Sequence, residues 1–262
     1  MRQAFADTML EIGQQDDKLI VLVGDISHNI LQPFAKACPN RYYNVGIMEQ
    51  TIVGMAAGLA ISGMRPVVHT IAPFLVDRCY EQLKLDFGYQ QLGGVMIGVG
   101  GAFDYAGLGC SHHSYAACQL VATIPGSQVF SPASPVEFRT LFKAVYQQPK
   151  LSYFHLPSEQ HGVDVGPIEV GKPILIKDGT ARTIVAVGPQ LKTAIEADVA
   201  DTRILYLHTL KPWPDALPTV GRVLWLEEAG FDEFQRGYGS RQDHLNAVGL
   251  TPERVREWAR TN

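Results

Sequence analysis

Short, unbroken apolar runs alternate with longer stretches of helical period along the first part of the chain. Leu19-Ile-Val-Leu-Val-Gly24, Pro66–Ile71 and Gly94–Val99 are too short for helices and carry no polar alternation. Such runs predict parallel strands buried on both faces. Ser127–Ser131 and Leu151–His155 predict two more strands. Helical segments fall between them, over Arg2–Gly13, Met48–Ser62, Phe74–Gln90 and Pro135–Tyr146. Repeated alternation of this kind predicts a mostly parallel α/β sheet with helices on both faces. Ligands in such sheets sit beyond the carboxyl ends of the strands.

The pattern then changes. Residues 156–180 hold Pro157, Gly162, Gly166, Pro167, Gly171, Pro173 and Gly179 without a helical period, and read as a connecting segment. A second, smaller β/α unit follows, with strands expected over Arg182–Gly188, Arg203–His208 and Arg222–Glu227. Thr251-Pro252-Glu253 predicts the start of a last helix, an N-cap followed by proline in the first turn. The expected division is a first domain over 1–160, a linker over 161–180 and a small domain over 181–262.

Composition narrows the function. The 262 residues are 46% hydrophobic and 18% charged, enough apolar material for a real core. A net charge of -4 with no basic block argues against nucleic acid as a partner. Cys38, Cys79, Cys110 and Cys118 lack CxxC spacing and read as reduced thiols. The uncharged stretch from Gln50 to Met64 is shorter than the roughly 18 residues of a membrane span. The first turns carry Asp7, Glu11, Asp16 and Asp17, unlike a signal peptide. A soluble, cytoplasmic protein is expected, acting on small molecules rather than at a membrane.

Most chemical motifs fail. Gly98-Val-Gly100-Gly101-Ala-Phe103 lacks the third glycine of a dinucleotide loop. Gly109-Cys-Ser-His-His113 is not a nucleophile elbow. Cys110, His112 and His113 lack the spacing of a metal site. What remains is Tyr42-Tyr-Asn-Val-Gly46-Ile-Met-Glu49-Gln50, a strand-like run that turns at a glycine into a helix with a carboxylate in its first turn. Glu49 could simply complement the helix dipole. The small residues Gly54, Ala56, Ala57, Gly58 and Ala60 that follow predict close packing, hence a buried helix and a buried Glu49 in need of a partner.

These pieces resemble the C-terminal half of transketolases, in order and along nearly the whole chain: Gly46-Ile-Met-Glu49-Gln50, Gly58-Leu-Ala, Pro73-Phe74, Tyr80-Glu-Gln82, Gly107-Leu-Gly-Cys-Ser-His112-His113, Lys211-Pro212-Trp213 and Gly237-Tyr-Gly239-Ser240. The pattern is most similar to the separately encoded C-terminal subunit of split transketolases. The resemblance implies a pyrimidine-binding domain followed by a small C-terminal domain. It implies thiamine diphosphate as cofactor, with Mg2+ and the diphosphate held mainly by a partner N-terminal subunit, because the family's Gly-Asp-Gly…Asn module is not in this sequence. An α2β2 heterotetramer is implied, as is transfer of a two-carbon ketol unit to an aldehyde.

The resemblance also assigns residues. Glu49 would hydrogen-bond the aminopyrimidine ring nitrogen and share a proton with it. Phe74 would stack on the pyrimidine, with Tyr80 at the pocket edge. Asp25, at the end of the first strand, matches the family's strand-end aspartate, in the cofactor site or holding its loop through backbone N–H groups. His112, with His113 beside it, would contact substrate hydroxyls.

Three departures set the chain apart from ordinary transketolases. Leu108 stands where an aspartate reads the acceptor. Ser131, before Pro132, stands where an arginine grips its phosphate. Leu156-Pro-Ser-Glu159 supplies no cation. Without charge-assisted bonds a phosphate is held weakly, so an acceptor other than a standard sugar phosphate is expected, unless Arg78 or the partner supplies the charge. Gly100 and Gly101 suggest a roomier acceptor pocket. Two rivals remain at this point: the β subunit of a 2-oxoacid dehydrogenase first component, and an assembly protein that kept the fold without the chemistry.

Overall fold

The computed structural model describes residues 1–229, 231 and 234–261. Two sheets organise them. The first has seven strands: β1 (Leu19–Val23), β2 (Tyr42–Asn44), β3 (Arg65–Ile71), β4 (Gly94–Val99), β5 (Gln128–Phe130), β6 (Leu151–Leu156) and β10 (Thr209–Lys211), in the order β10-β5-β6-β4-β3-β1-β2. All its pairings are parallel except β10 on β5. The second has four strands in the order β11-β8-β9-β7: β7 (Ile174–Lys177), β8 (Arg182–Val187), β9 (Thr202–Leu207) and β11 (Arg222–Leu226).

Every residue of β1, β4 and β6 is buried, and β1 and β4 accordingly read as continuous apolar runs. Alternate side chains serve opposite faces. Val21 and Val67 pack with α1 (Arg2–Gly13), α2 (His28–Ala37) and α7 (Pro135–Val145) through Phe5, Phe34 and Phe138. Leu22 and Val68 pack with α3 (Glu49–Ile61), α4 (Ala72–Val76) and α6 (Ala117–Ala122) through Ile52, Leu75 and Val121. Each such buried side chain contributes about 1.5–3 kcal/mol.

Several expected elements differ in detail. The helix expected over Phe74–Gln90 is broken: α4 ends at Val76, and α5 (Tyr80–Gln82) runs on into a wide π-turn stretch over Leu83–Tyr89. Residues 174–177, read as part of the connecting segment, form β7, antiparallel to β9. The unpredicted α2 contains Pro33, and α8 (Gln190–Glu196) is only seven residues long. The last two helices are α9 (Arg241–Val248) and α10 (Pro252–Arg260). The side chain of Thr251 caps α10 as expected.

The two sheets are tied firmly. β10 leaves the second unit to become the edge strand of the first sheet. Lys211 Nζ donates to the carbonyls of Ala122 (2.7 Å) and Ile124 (2.6 Å), closing the C-terminal end of α6. Glu137 of α7, fully buried, accepts from His161 (2.6 Å), Tyr206 of β9 (2.8 Å) and the Ala133 N–H (2.8 Å). Burial pushes the Glu137 carboxyl up, but these bonds outweigh it and hold it below its usual value. Arg241 joins Asp104 and Glu159 across the same boundary, and pairs with Glu228 within the second unit.

Candidate active site

β1 is followed by β2 on one side, whereas β3 and β4 lie on its other side. The strand order therefore reverses between β1 and β3, and in such sheets the crevice at the reversal, beyond the carboxyl ends, is where ligands bind. Glu49, the first residue of α3, enters this crevice. Gly46, at φ +83°, makes the turn that leads into the helix, a conformation glycine adopts without strain. The Asn44 side chain fixes the turn: its Oδ1 accepts from the N–H groups of Asp25 (3.0 Å) and Gly46 (3.1 Å).

Glu49 is 1% exposed. Thr70, at the end of β3, donates to its Oε1 at 3.2 Å, and Arg78 donates to its Oε2 at 2.6 Å. Gly24, at the end of β1, leaves room for the carboxylate; a Cβ there would lie 2.9 Å from Thr70 Oγ1 and 3.5 Å from Glu49 Oε1. The burial expected of Glu49 is present, and Arg78 and Thr70 supply the partners a buried carboxylate requires.

Phe74 lies alongside. The Arg78 guanidinium sits over its ring, 4.3 Å from the centroid. The His112 ring approaches Phe74 edge-on with centroids 5.0 Å apart, and the Tyr105 ring lies 6.2 Å from that of His112. His112 Nδ1 also meets the Ser111 hydroxyl at 3.0 Å. Glu49, Arg78, Phe74 and His112 thus form one continuous group drawn from α3, the end of α4 and the loop after β4.

Other residues singled out from the sequence lie elsewhere. The Tyr80 hydroxyl pairs with Thr123 at 2.6 Å, while its ring packs on the core under α3 and α6. Asp25 accepts the Asn44 side-chain amide at 3.0 Å rather than backbone N–H groups, and so locks the end of β1 to β2. His113, though adjacent to His112, turns the opposite way. It is 4% exposed, with ring contacts to Phe103 (5.3 Å) and His244 (4.9 Å) at the boundary with the second unit. Burial first, then the neighbouring His244 and His112, lower its pKa. Thr70, Gly24 and Asn44 escape a reading of the sequence, because their roles depend on contacts made between strands distant along the chain. Among the described residues, no group of three or more His, Cys, Asp or Glu side chains is arranged to hold a metal ion, and no helix is long and apolar enough to cross a membrane.

Residues 1–162 match the transketolase pyrimidine-binding domain. An apulose-4-phosphate transketolase subunit of Phocaeicola vulgatus is 31% identical over 243 residues, which cover 87% of this chain and 78% of that protein. The chain belongs to the transketolase family. Another transketolase relative, the 6-deoxy-6-sulfo-D-fructose transketolase subunit SqwH of a Clostridium species, is 27% identical over 225 residues, 82% of this chain and 70% of that one. Among solved structures, a split-gene transketolase in an inactive beta4 tetramer superposes with a TM-score of 0.83 at 25% identity, covering 98% of this chain and 96% of that chain. The fold is that of the transketolase pyrimidine-binding domain joined to a smaller α/β unit, and the transketolase reading displaces the 2-oxoacid dehydrogenase rival.

The geometry suits an aminopyrimidine. A buried carboxylate at a helix N-terminus adjoins an aromatic face, and a planar cationic group already lies against both. That is the donor, acceptor and stacking pattern the pyrimidine of thiamine diphosphate would meet.

Proposed function

We propose that this chain is the β-type subunit of a two-component, thiamine diphosphate-dependent transketolase of the EC 2.2.1 class, active only with a partner that carries the diphosphate-binding half. The observation that supports this reading best is Glu49, buried at the strand-order reversal beside Phe74. The proposed organisation is 1–160, 161–180 and 181–262 as expected from sequence, in an α2β2 assembly located in the cytoplasm. Mg2+ would be bound mainly by the partner.

Thiamine diphosphate, when bound, supplies a carbanion equivalent that takes up and releases a two-carbon ketol unit. Glu49 would hold a proton at the pyrimidine ring nitrogen, donating and recovering it as the exocyclic amine changes state. Thr70 keeps the carboxyl oriented through Oε1, leaving Oε2 as the working oxygen. Phe74 offers a face for stacking. His112, at the edge of that ring, would donate to substrate hydroxyls. Tyr80 and Asp25 would act by supporting the crevice walls rather than by touching the cofactor.

The acceptor is proposed to be a sugar outside the standard pentose-phosphate set. Two relatives are named for such substrates, an apulose phosphate and a sulfosugar. In this chain Leu108 is exposed where the usual acidic reader would sit. Glu159, beyond β6, engages Lys192 at 3.0 Å and Arg241, so both cations at this strand end are already paired rather than turned to an acceptor phosphate. Arg78, its charge shared with Glu49, lies against the site, and Arg2 reaches the Tyr105 hydroxyl beside His112.

Calorimetry tests the split site. The isolated chain should show no tight, Mg2+-dependent binding of thiamine diphosphate, and binding should appear when a diphosphate-binding partner is added. Tight binding by the isolated chain would defeat the two-component reading.

A further inference from the structure

The Arg78 guanidinium makes the two contacts that the proposed function assigns to the cofactor's aminopyrimidine. It lies over the Phe74 ring at 4.3 Å and donates to Glu49 Oε2 at 2.6 Å. A guanidinium and a ring-protonated aminopyrimidine are both planar, both offer N–H groups to a carboxylate, and both stack on aromatic rings. The two cannot occupy one face of the Phe74 ring at once.

The surroundings leave the arginine free to move. Its backbone is held: Gln50 Nε2 donates to the Arg78 carbonyl at 3.3 Å, and neighbouring Cys79 is buried with its thiol donating to the Phe74 carbonyl at 3.2 Å. The side chain itself is 39% exposed. Rotation about side-chain bonds is enough to clear the site without disturbing α4.

We propose that Arg78 is a built-in occupant of the pyrimidine seat, a latch that neutralises buried Glu49 in the cofactor-free protein and must swing out for the cofactor to bind. This rests on the thiamine diphosphate reading above. The latch keeps the carboxylate satisfied before assembly, in place of an unpaired buried charge. It also makes cofactor affinity depend on how often the latch is open, since apparent affinity falls with the fraction of molecules competent to bind.

The test is cofactor binding to the assembled pair, measured by calorimetry with wild-type and Arg78→Gln chains. A latch closed about nine-tenths of the time makes the variant bind thiamine diphosphate about tenfold more tightly. Wild-type binding with an equal or weaker variant overturns the latch and leaves the cofactor reading standing. No binding by the wild-type pair overturns both. Should Arg78→Gln fail to fold, the side-chain signal of Arg78 decides. The Nε–H resonance of Arg78, shifted upfield by the Phe74 ring, should move toward its free position when the isolated aminopyrimidine portion of thiamine is titrated in, and in the Glu49→Gln chain without ligand. A resonance that moves in neither case overturns the proposal.

Discussion

Glu49 illustrates how a single side chain shapes its surroundings. Its buried carboxylate is tolerated because Thr70 and Arg78 each give it a hydrogen bond. Thr70→Val keeps the shape and removes one donor, so urea unfolding should show a loss of about 1–3 kcal/mol; an unchanged midpoint would mean the bond is idle. Another residue-scale expectation concerns His69, wholly buried between Ser27 and the Ile97 carbonyl and lowered by burial to about 3. The unfolded chain takes up this proton near 6.5 and the folded chain does not, so the stability present above 6.5 is lost as pH falls toward 3. Replacing His69 with Gln should flatten the stability-versus-pH slope between about pH 6.5 and 5 by about 1.4 kcal/mol per pH unit, as read by denaturant unfolding at several pH values. Glu49, Phe74 and His112 were legible in the sequence because an ordered family pattern surrounds them. Thr70 and Asn44 were not, since a lone threonine or asparagine carries no signal until strands far apart in sequence are brought side by side.

Elements decide how accurately those residues are placed. Continuous apolar composition sufficed to find β1 and β4, buried on both faces, while β3, β5 and β6 were legible as short, mainly apolar runs between helical segments. The short α2 and α8, the lone β7 and the break between α4 and α5 escaped, since each is short or depends on tertiary packing rather than on period. The helix α3 is buried on its sheet-facing side and not all round, as its small residues suggested. Ile52, Val53, Ala56 and Ala57 face the sheet, while a Cβ at Gly58 would meet nothing within 4 Å. Close approach does govern β4. A Cβ at Gly98 would lie 2.5 Å from Tyr153 Oη and 3.1 Å from the Ala72 backbone, at the start of the helix that carries Phe74. Gly98→Ala should therefore destabilise the chain by about 1–3 kcal/mol, seen as a lowered thermal midpoint, and should weaken cofactor binding by the assembled pair as α4 is displaced.

At the scale of the whole molecule, the outward side of α3 leaves a run of apolar side chains exposed. Met55 is 41% and Ile61 63% exposed, with Ile47 and Met48 exposed at the lead-in and Leu85 and Tyr89 on the adjoining turn. Apolar surface of this extent favours association. Sedimentation of the isolated chain should show self-association that Met55→Glu weakens; a wild-type monomer would place the interface elsewhere. Glu49 is proposed to exchange a proton with a cofactor held between two subunits. The most direct measurement is ketol transfer from hydroxypyruvate to an aldehyde by the reconstituted pair, with wild-type and Glu49→Gln chains compared at saturating cofactor. Loss of a positioned acid–base group should lower turnover by about 10²–10⁴-fold while the subunits still assemble. Turnover unchanged by the substitution would contradict the claim and leave Glu49 a structural residue.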